Sequence, residues 1–413
     1  MTLIRPFVGL RPAAACASDV AAPPYDVLNT EEARIRAQGR PWSFLHISKP
    51  EIDLAVGTDP YSDAVYAKGA ENFAKMLAAG VIERDTVPCY YVYRAIMGDH
   101  TQTGLVVAAS VQAYNSGDIR RHEFTRPQKE DDRVRQIDTL NAQTGPVFLT
   151  YRHQVPVDTL IGEITTSEAD ISVTADDGVQ HDLWVVRQPN TVEAITRAFD
   201  GVERLYIADG HHRSAAAARV ADQRRKANPD HSGDEPYNYF LSVIFPDNQV
   251  QILDYNRVVK DLNGLSQEDF IQEVSKVFSV EACNGPVKPE QVGEVGMYLP
   301  GQWYRLVIDP QRIPQGDPVA RLDVSLLADH LIDPILGISD PRVDTRIDFV
   351  GGIRGLEELE RRVDSGDMAV AFALHPTGLD ELMAVADANQ VMPPKSTWFE
   401  PKLADGLVTH VLD

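Results

Sequence analysis

The run Tyr206-Ile207-Ala208-Asp209-Gly210-His211-His212-Arg213-Ser214-Ala215-Ala216-Ala217 joins an apolar stretch, a glycine and a polar, basic cluster that opens an alanine-rich segment. Read as strand, turn and helix start, it aims backbone N–H groups, two imidazoles and a guanidinium at one point, the composition of an anion site. Each residue type has a use there. Gly210 lets the backbone turn and approach a ligand closely. Arg213 can grip a phosphate through two parallel N–H bonds. His211 or His212 can donate to a phosphoryl oxygen or shuttle a proton. Asp209 can fix an imidazole tautomer or help hold a metal ion, and Ser214 completes the phosphate-binding set. The plain alternative is a surface turn with two exposed histidines; two histidines followed by arginine at a strand-to-helix junction favour the functional reading. The stretch has neither the long glycine-rich loop and Lys-Ser/Thr of a P-loop nor a GxGxxG.

Three other stretches carry chemistry-bearing residues. In Arg120-Arg121-His122-Glu123-Phe124-Thr125-Arg126-Pro127, Glu123 fits a metal ligand or general base, and Arg121, His122, Thr125 and Arg126 can clamp an anion or substrate. The alternative is a solvated helix start laced with ion pairs, although Phe124 and Pro127 suggest partial burial. In Pro23-Pro24-Tyr25-Asp26 the paired prolines impose an extended backbone that would fix Asp26. A fixed carboxylate suits a general base that takes a hydroxyl proton; a turn or N-cap aspartate is the alternative. Between prolines near the C-terminus, Lys395 to Lys402 reads either as a docking strand burying Trp398 and Phe399 or as a segment delivering Lys395 to the phosphate site. Arg342, Asp344, Arg346 and Asp348 alternate in a way that fits structural ion pairing. No His-Glu-x-x-His helix or Gly-x-Ser-x-Gly elbow occurs, and no metal-ligand set is assigned.

The whole chain narrows the choice of anion. Its 413 residues allow two or three domains. With 39 Lys+Arg against 61 Asp+Glu, the net charge of −22 disfavours nucleic acid, which needs a basic footprint. A small anionic ligand at the local Arg/His clusters is expected instead. Cys16, Cys89 and Cys283 are far apart and form no CxxC pair, which fits a reducing compartment. Neither a signal peptide nor a membrane span is read, so the expected location is cytoplasmic.

The elements that must position these residues follow from patterning. Residues 61–79 predict a helix ending at Gly80. Val87 to Ala95 and Thr103 to Tyr114 predict an antiparallel hairpin around Met97-Gly98-Asp99-His100. A helix is expected through Leu140, strands at 147–151, 183–187 and 239–245, and a helix at 191–199 stopped by Gly201. Asp222 to Asn238 reads as a polar loop. Farther on, Ser266 opens a helix to about Phe278, 297–299 and 303–308 form a second hairpin, 324–336, 356–363 and 379–388 are helical, and 368–374 is a buried strand. Strands and helices mix without strict βαβ alternation, which predicts an α+β fold.

Taken together, Pro23-Pro24-Tyr25-Asp26-Val27, Arg121-His122-Glu123 with Thr125 and Asp132-Arg133, Ile207-Ala208-Asp209-Gly210-His211-His212-Arg213, and Met392-Pro393-Pro394-Lys395-Ser396-Thr397 with Phe399-Glu400-Pro401-Lys402 resemble, nearly end to end, domain-of-unknown-function family 1015. The core Gly210-His211-His212-Arg213 also resembles the ParB/sulfiredoxin superfamily, whose equivalent loop holds nucleotide phosphates and whose members include free-serine kinases. The resemblance implies a mixed-sheet ParB/sulfiredoxin-like core with large insertions and a C-terminal α/β extension. The expected regions are 1–155, 156–262 carrying the phosphate loop, and 263–413. It also implies ATP or ADP with Mg²⁺ as cofactor, serine or phosphoserine as substrate, and Asp26 as the acidic residue that activates the hydroxyl, although those kinases use Glu. Asp26, Glu123, His212 and Arg213 are the catalytic candidates.

Three functions follow. The first is a phosphotransferase, most concretely an L-serine kinase, with a phosphoserine phosphatase using His212 as phosphoryl acceptor as its variant. The second is a non-enzymatic nucleotide-binding protein of the partition type, disfavoured by the acidic charge. The third, sulfiredoxin-like chemistry, needs a cysteine in the phosphate loop and ranks last.

Overall fold

The computed structural model describes residues 2–413. It has a mixed α/β architecture with several sheets and divides into two units: everything up to Val250 together with Pro401–Asp413, and Gln251–Glu400. This differs from the three regions expected. Residues 155/156 fall inside the first unit because Val147–Tyr151 and Leu205–Asp209, on either side of that boundary, pair in one sheet. The chain leaves the first unit after Val250, and its last thirteen residues return to it.

The first unit is built on a nine-stranded mixed sheet. Along it the order is Ile119–Arg120, Leu205–Asp209, Val147–Tyr151, Tyr239–Pro246, His100–Ser110, Tyr90–Met97, Gln180–Val186 and Ile171–Thr174, with Ile4–Arg5 pairing on His100–Ser110. The predicted hairpin is present, with Met97 opposite His100. Its second strand is shorter than expected, because Ser110 caps a helix at Val111–Ser116 through its hydroxyl. Val147–Tyr151 is buried at every position and pairs parallel with Tyr239–Pro246 and antiparallel with Leu205–Asp209. Continuous apolar runs of this kind mark strands covered on both faces. A smaller sheet, Ile82–Arg84, Gly9–Pro12, Thr409–Val411 and Ala142–Gln143, ties the returning C-terminus to the N-terminal segment.

Two helices frame the loop of interest. His211–Ala227 extends six residues, 222–227, into the stretch expected to be loop. It packs on Pro127–Leu140 through Ala216 and Val220 against Val134, Ile137 and Leu412. Arg219 reinforces this contact, bonding Glu130 at 3.2 Å and Asp131 at 2.7 Å. The alanines explain the close packing, since a small side chain lets two helix backbones approach.

The second unit carries a six-stranded antiparallel sheet in the order Phe278–Cys283, Gln302–Ile308, Glu294–Leu299, Val370–Leu374, Tyr255–Val259, Ile347–Gly351. The helix opened by Ser266 ends at Val274, and Phe278 begins a strand rather than ending the helix. The expected helix at 324–336 is α-helical only over Asp323–Leu327, then widens into a π-turn at Ala328–Ile332. Arg342 pairs with Asp340 and Arg346 with Asp344, the structural ion pairing foreseen for this charged run.

Gly104 shows how tightly the first sheet is built. A Cβ there would collide with the Ile244 carbonyl oxygen on the neighbouring strand and sit 2.7 Å from the Phe245 ring. Gly104→Val is expected to destabilise the first unit by about 1–3 kcal/mol, read as a lower urea midpoint by tryptophan fluorescence and circular dichroism.

Candidate functional site

Leu205–Asp209 is buried up to Ala208, and its register shifts between Ile207 and Asp209, a bulge at the strand's exit. Bulges re-aim side chains at strand ends, and here Asp209 begins the turn. Gly210 follows at φ +100°. That angle disfavours any side chain, and a Cβ would lie 3.1 Å from Arg213 Nε and 3.3 Å from Val147 Cα. The helix then starts with no side-chain cap. The N–H of Ser214 already donates to the Gly210 carbonyl at 3.0 Å. The N–H groups of His211, His212 and Arg213 have no acceptor within the helix.

Arg213 is the centre of the arrangement. Only 9% exposed, it donates through Nη1 to the Pro146 carbonyl, and its Nη2 lies 3.5 Å from Asp209 and 3.8 Å from Asp26. Burial works against its charge, but Asp209 first, then Asp26, outweigh that and hold the guanidinium more firmly protonated than usual. Asp209 is likewise opposed by burial, yet Lys402, with Nζ at 3.3 Å, and then Arg213 keep its carboxyl well below the ordinary range. The turn, the Pro23-Pro24-Tyr25-Asp26 segment and the returning C-terminus thus converge on one guanidinium. Tyr25 sits beneath the Arg133 guanidinium, 4.0 Å from its ring centre, and burial pushes its hydroxyl up to about 12.

The histidines are neutral. His211 is buried and held well below its ordinary pKa by burial and then by His122. Its Nε2 accepts the His122 N–H at 3.4 Å, which puts its proton on Nδ1, 3.7 Å from a Glu123 oxygen. His122 packs edge-on against it with centroids 4.5 Å apart, and burial pulls it down to about 4. His212 is half-buried, its Nε2 accepts the Arg126 N–H at 3.0 Å, and burial lowers its pKa.

Other expected residues lie differently. Ser214 is fully buried and donates its hydroxyl to the His211 carbonyl, so it faces the protein interior instead of the turn's mouth. Phe124 is 74% exposed, the reverse of the expected partial burial. Thr125 bonds Glu130, and Arg121 stacks over Tyr114 at 5.0 Å and bonds its hydroxyl at 3.4 Å. Lys395 belongs to the second unit, where its carbonyl accepts from Arg257 at 3.0 Å and its ammonium lies over Tyr255 at 5.5 Å. The lysine found at the turn is Lys402. Among the described residues, no three His, Cys, Asp or Glu side chains gather as a metal cage.

Sequence reasoning missed Asp405. Its backbone pairs both ways with Ala22, at 3.1 and 2.8 Å, just before the prolines. Its side chain is 1% exposed, and Oδ1 has no hydrogen-bond partner. Burial lifts the carboxyl to about 8 even though the Arg213 charge pulls it down, and the Asp26 charge adds to the rise. Nothing in the tail Leu403-Ala404-Asp405-Gly406 flags this aspartate.

A cavity of about 230 Å³ opens on Asp26 and is walled by Tyr25, Lys49, Glu51, Tyr66, Lys129 and Arg133 among others. Tyr25 and Arg133 also wall a smaller void of about 30 Å³ at Arg213 and Asp405.

Residues 4–325 match the family described as protein of unknown function, DUF1015, and the chain belongs to that family. No curated protein matches it. Among solved structures it is similar to a mutant free serine kinase in complex with AMP, at 15% identity, covering 71% of this chain and 86% of that one with a TM-score of 0.35. SbnI from Staphylococcus aureus matches at 11% identity over 72% and 84% of the two chains, TM-score 0.36. A conserved hypothetical protein from Pyrococcus furiosus matches at 14% over 73% and 94%, TM-score 0.32. No helix among the described residues is long and apolar enough to cross a membrane.

Two outcomes follow from this geometry. Gly210→Ala should cost roughly 1–3 kcal/mol of stability and displace the Arg213 guanidinium, read by thermal melts and by weaker anion binding. Because the folded state holds the Asp405 proton up to about pH 8 while the unfolded chain loses it near its ordinary value of 3.8, Asp405 lowers stability as pH rises through that window. Asp405→Asn should remove this component: melting temperatures of wild type and variant should lie closest near pH 4, with the variant gaining progressively toward pH 8.5.

Proposed function

We propose that the protein is a nucleotide-dependent phosphotransferase for a small hydroxyl-bearing metabolite, with L-serine the acceptor that the motif resemblance implies. We assign its loop-bearing sheet to the ParB/sulfiredoxin type and its location to the cytoplasm. The observation that carries the functional reading is the buried Arg213 guanidinium, which ties the helix start at Gly210 to the Asp26 carboxylate at 3.8 Å.

The residues suit a phosphate group. The N–H groups of His211, His212 and Arg213 have no acceptor within the helix, Gly210 lets the Arg213 guanidinium fold back over the same turn, and such ends attract anions. Arg213 and Lys402 supply charge for a transferring phosphoryl group, whose transfer is catalysed mostly by positioning and electrostatics. Magnesium enters as the counter-ion of ATP or ADP, which needs only one or two protein carboxylates besides the phosphates.

In the transfer, Asp26 takes the proton of the acceptor hydroxyl, the new O–P bond forms, and the P–O bond to the nucleotide breaks. The nucleotide leaves one phosphate shorter. Asp26 suits the base because it is partly exposed at the wall of the cavity while Arg213 fixes its position. Glu123 suits a different role, holding the Nδ1–H of His211 so that the ring keeps one tautomer behind the turn. The phosphatase variant through His212 is less well served, since its Nε2 already accepts from Arg126.

Purified protein with Mg²⁺, ATP or ADP and L-serine should yield phosphoserine. Asp26→Asn should lower kcat by roughly 10²–10⁴-fold, and Arg213→Lys should lower kcat/KM by roughly 10²–10³-fold. Absence of phosphoserine with either nucleotide, in a protein that melts cooperatively, contradicts the reading.

A further inference from the structure

We propose that Asp405 is a positioning residue of the anion site at 210–213, and that this site takes up an anion only while the Asp405 carboxyl carries its proton. Anion and proton then enter the protein together. The proposal rests on the reading of the turn as an anion site and goes beyond it, by tying that site to a residue of the returning tail.

Charge around the turn is unbalanced. Its cations are Arg213, Lys402 and Arg133; its carboxylates are Asp209, Asp26, Asp132 and Asp405. Lys402 lies 3.3 Å from Asp209, Arg213 lies 3.5 Å from Asp209 and 3.8 Å from Asp26, and Arg133 lies 2.6 Å from Asp132. Among the described residues, Asp405 is left as the carboxylate without an ion pair. It is also the most deeply buried of the four. A carboxylate that has no cation of its own, lies out of water and sits near other carboxylates is the one that keeps its proton.

The carboxyl is held between the two catalytic candidates. Its backbone pairs both ways with Ala22, and the Tyr25 N–H faces its side chain, next to the residue that precedes Asp26 in the turn. Its Oδ1 has no hydrogen-bond partner, and the residue lines the void of about 30 Å³ with Arg213, Arg133 and Tyr25. A space of that size admits a water molecule, through which Oδ1 can gain or lose a proton. Gly145 brings Asp405 and Arg213 together: a Cβ at this position would touch both, at 3.7 Å from Asp405 Oδ1 and 3.4 Å from Arg213 Cδ. The charged and titratable groups facing Asp405 are thus Arg213 from His211–Ala227, Arg133 from Pro127–Leu140, and Asp26 and Tyr25 from the turn after the prolines.

The two states of Asp405 act on Arg213 differently. As a neutral acid it leaves the guanidinium to Asp209, Asp26 and an incoming anion. As a carboxylate it sets a third negative charge beside the same guanidinium, weakens the positive field at the turn and competes for its N–H groups. With the carboxyl lifted to about 8, chiefly by burial, this change falls where its neighbours keep their charge. His122 is drawn down to about 4, His211 and His212 are lowered too, Asp209 is held below the ordinary range, and Tyr25 is pushed up to about 12. Anion affinity is therefore full below this pH and falls as pH rises through it.

The test is titration of the full chain with sulfate, whose charge is constant over this range, at fixed ionic strength and followed by the backbone amide shifts of residues 210–214. Sulfate should bind the wild type about ten-fold more weakly at about pH 9 than at about pH 7, the ratio of the protonated fractions of a group at about 8. Calorimetry in two buffers of different ionisation enthalpy at about pH 8.5 should show each sulfate drawing in roughly three-quarters of a proton. Asp405→Asn, neutral at every pH, should bind sulfate equally at both ends of the range and draw in none. Where that variant does not fold, the proton uptake of the wild type decides. Wild-type affinity that does not change with pH, binding without proton uptake, or a pH dependence that survives in Asp405→Asn overturns the proposal, as does failure of sulfate to reach the turn. ADP with Mg²⁺ separates this proposal from the nucleotide reading. Sulfate binding with the expected pH dependence but no ADP binding supports the role of Asp405 and contradicts that reading. Phosphoserine formation alongside pH-independent sulfate binding does the reverse.

Discussion

A guanidinium that is nine-tenths buried is the constraint from which the site follows. A buried charge is costly unless it is paired and hydrogen-bonded, and Arg213 meets that requirement with the Pro146 carbonyl and the carboxylates of Asp209 and Asp26. These partners come from separate parts of the chain. The bulge at the end of Leu205–Asp209 places Asp209, a turn that follows Pro23-Pro24 and closes with the Val27 N–H on the Pro24 carbonyl places Asp26, and Gly210 leaves the space into which Arg213 folds back. The returning tail adds Lys402 against Asp209 and Asp405 against the void at Arg213. The first unit is therefore completed by residues that follow the whole of Gln251–Glu400 in sequence.

Charge and neutrality are divided between the two faces of the turn. On the Arg213 side, ionised groups dominate and reinforce one another. On the other side, His122 and His211 are buried, edge-on and neutral, and act through fixed tautomers. A neutral His211 keeps a second positive charge away from Arg213 while leaving the N–H groups of the helix start as the nearest donors. Under the proposed function, this arrangement would hold an anion by geometry, with little need for reorganisation.

Much of this was legible in the sequence where local chemistry decides. The strand, glycine and helix of the 205–227 segment, the hairpin around Gly98, and the helix at 63–78 follow from patterning and turn residues. For Asp26, the turn kept as the alternative in the sequence is what the structure shows. What stayed hidden depends on distance along the chain. Asp405 sits in an unremarkable tail and acquires meaning only by pairing with Ala22. Lys395 and Lys402 are indistinguishable as residue types in one motif, and the division of the chain between them separates their surroundings. Ser214 reads as a phosphate ligand by position, yet the 3.6-residue turn of its helix carries it into the core.

The proposed function requires the Arg213-centred turn to hold the phosphates of a nucleotide beside Asp26. A crystal structure of the full chain with ADP and Mg²⁺ tests it directly. Phosphate oxygens should lie within hydrogen-bond distance of the N–H groups of His211 to Arg213, with the terminal phosphate on the Asp26 side. Nucleotide bound away from this turn, or a turn whose Arg213 keeps its present partners while the phosphates lie elsewhere, contradicts it.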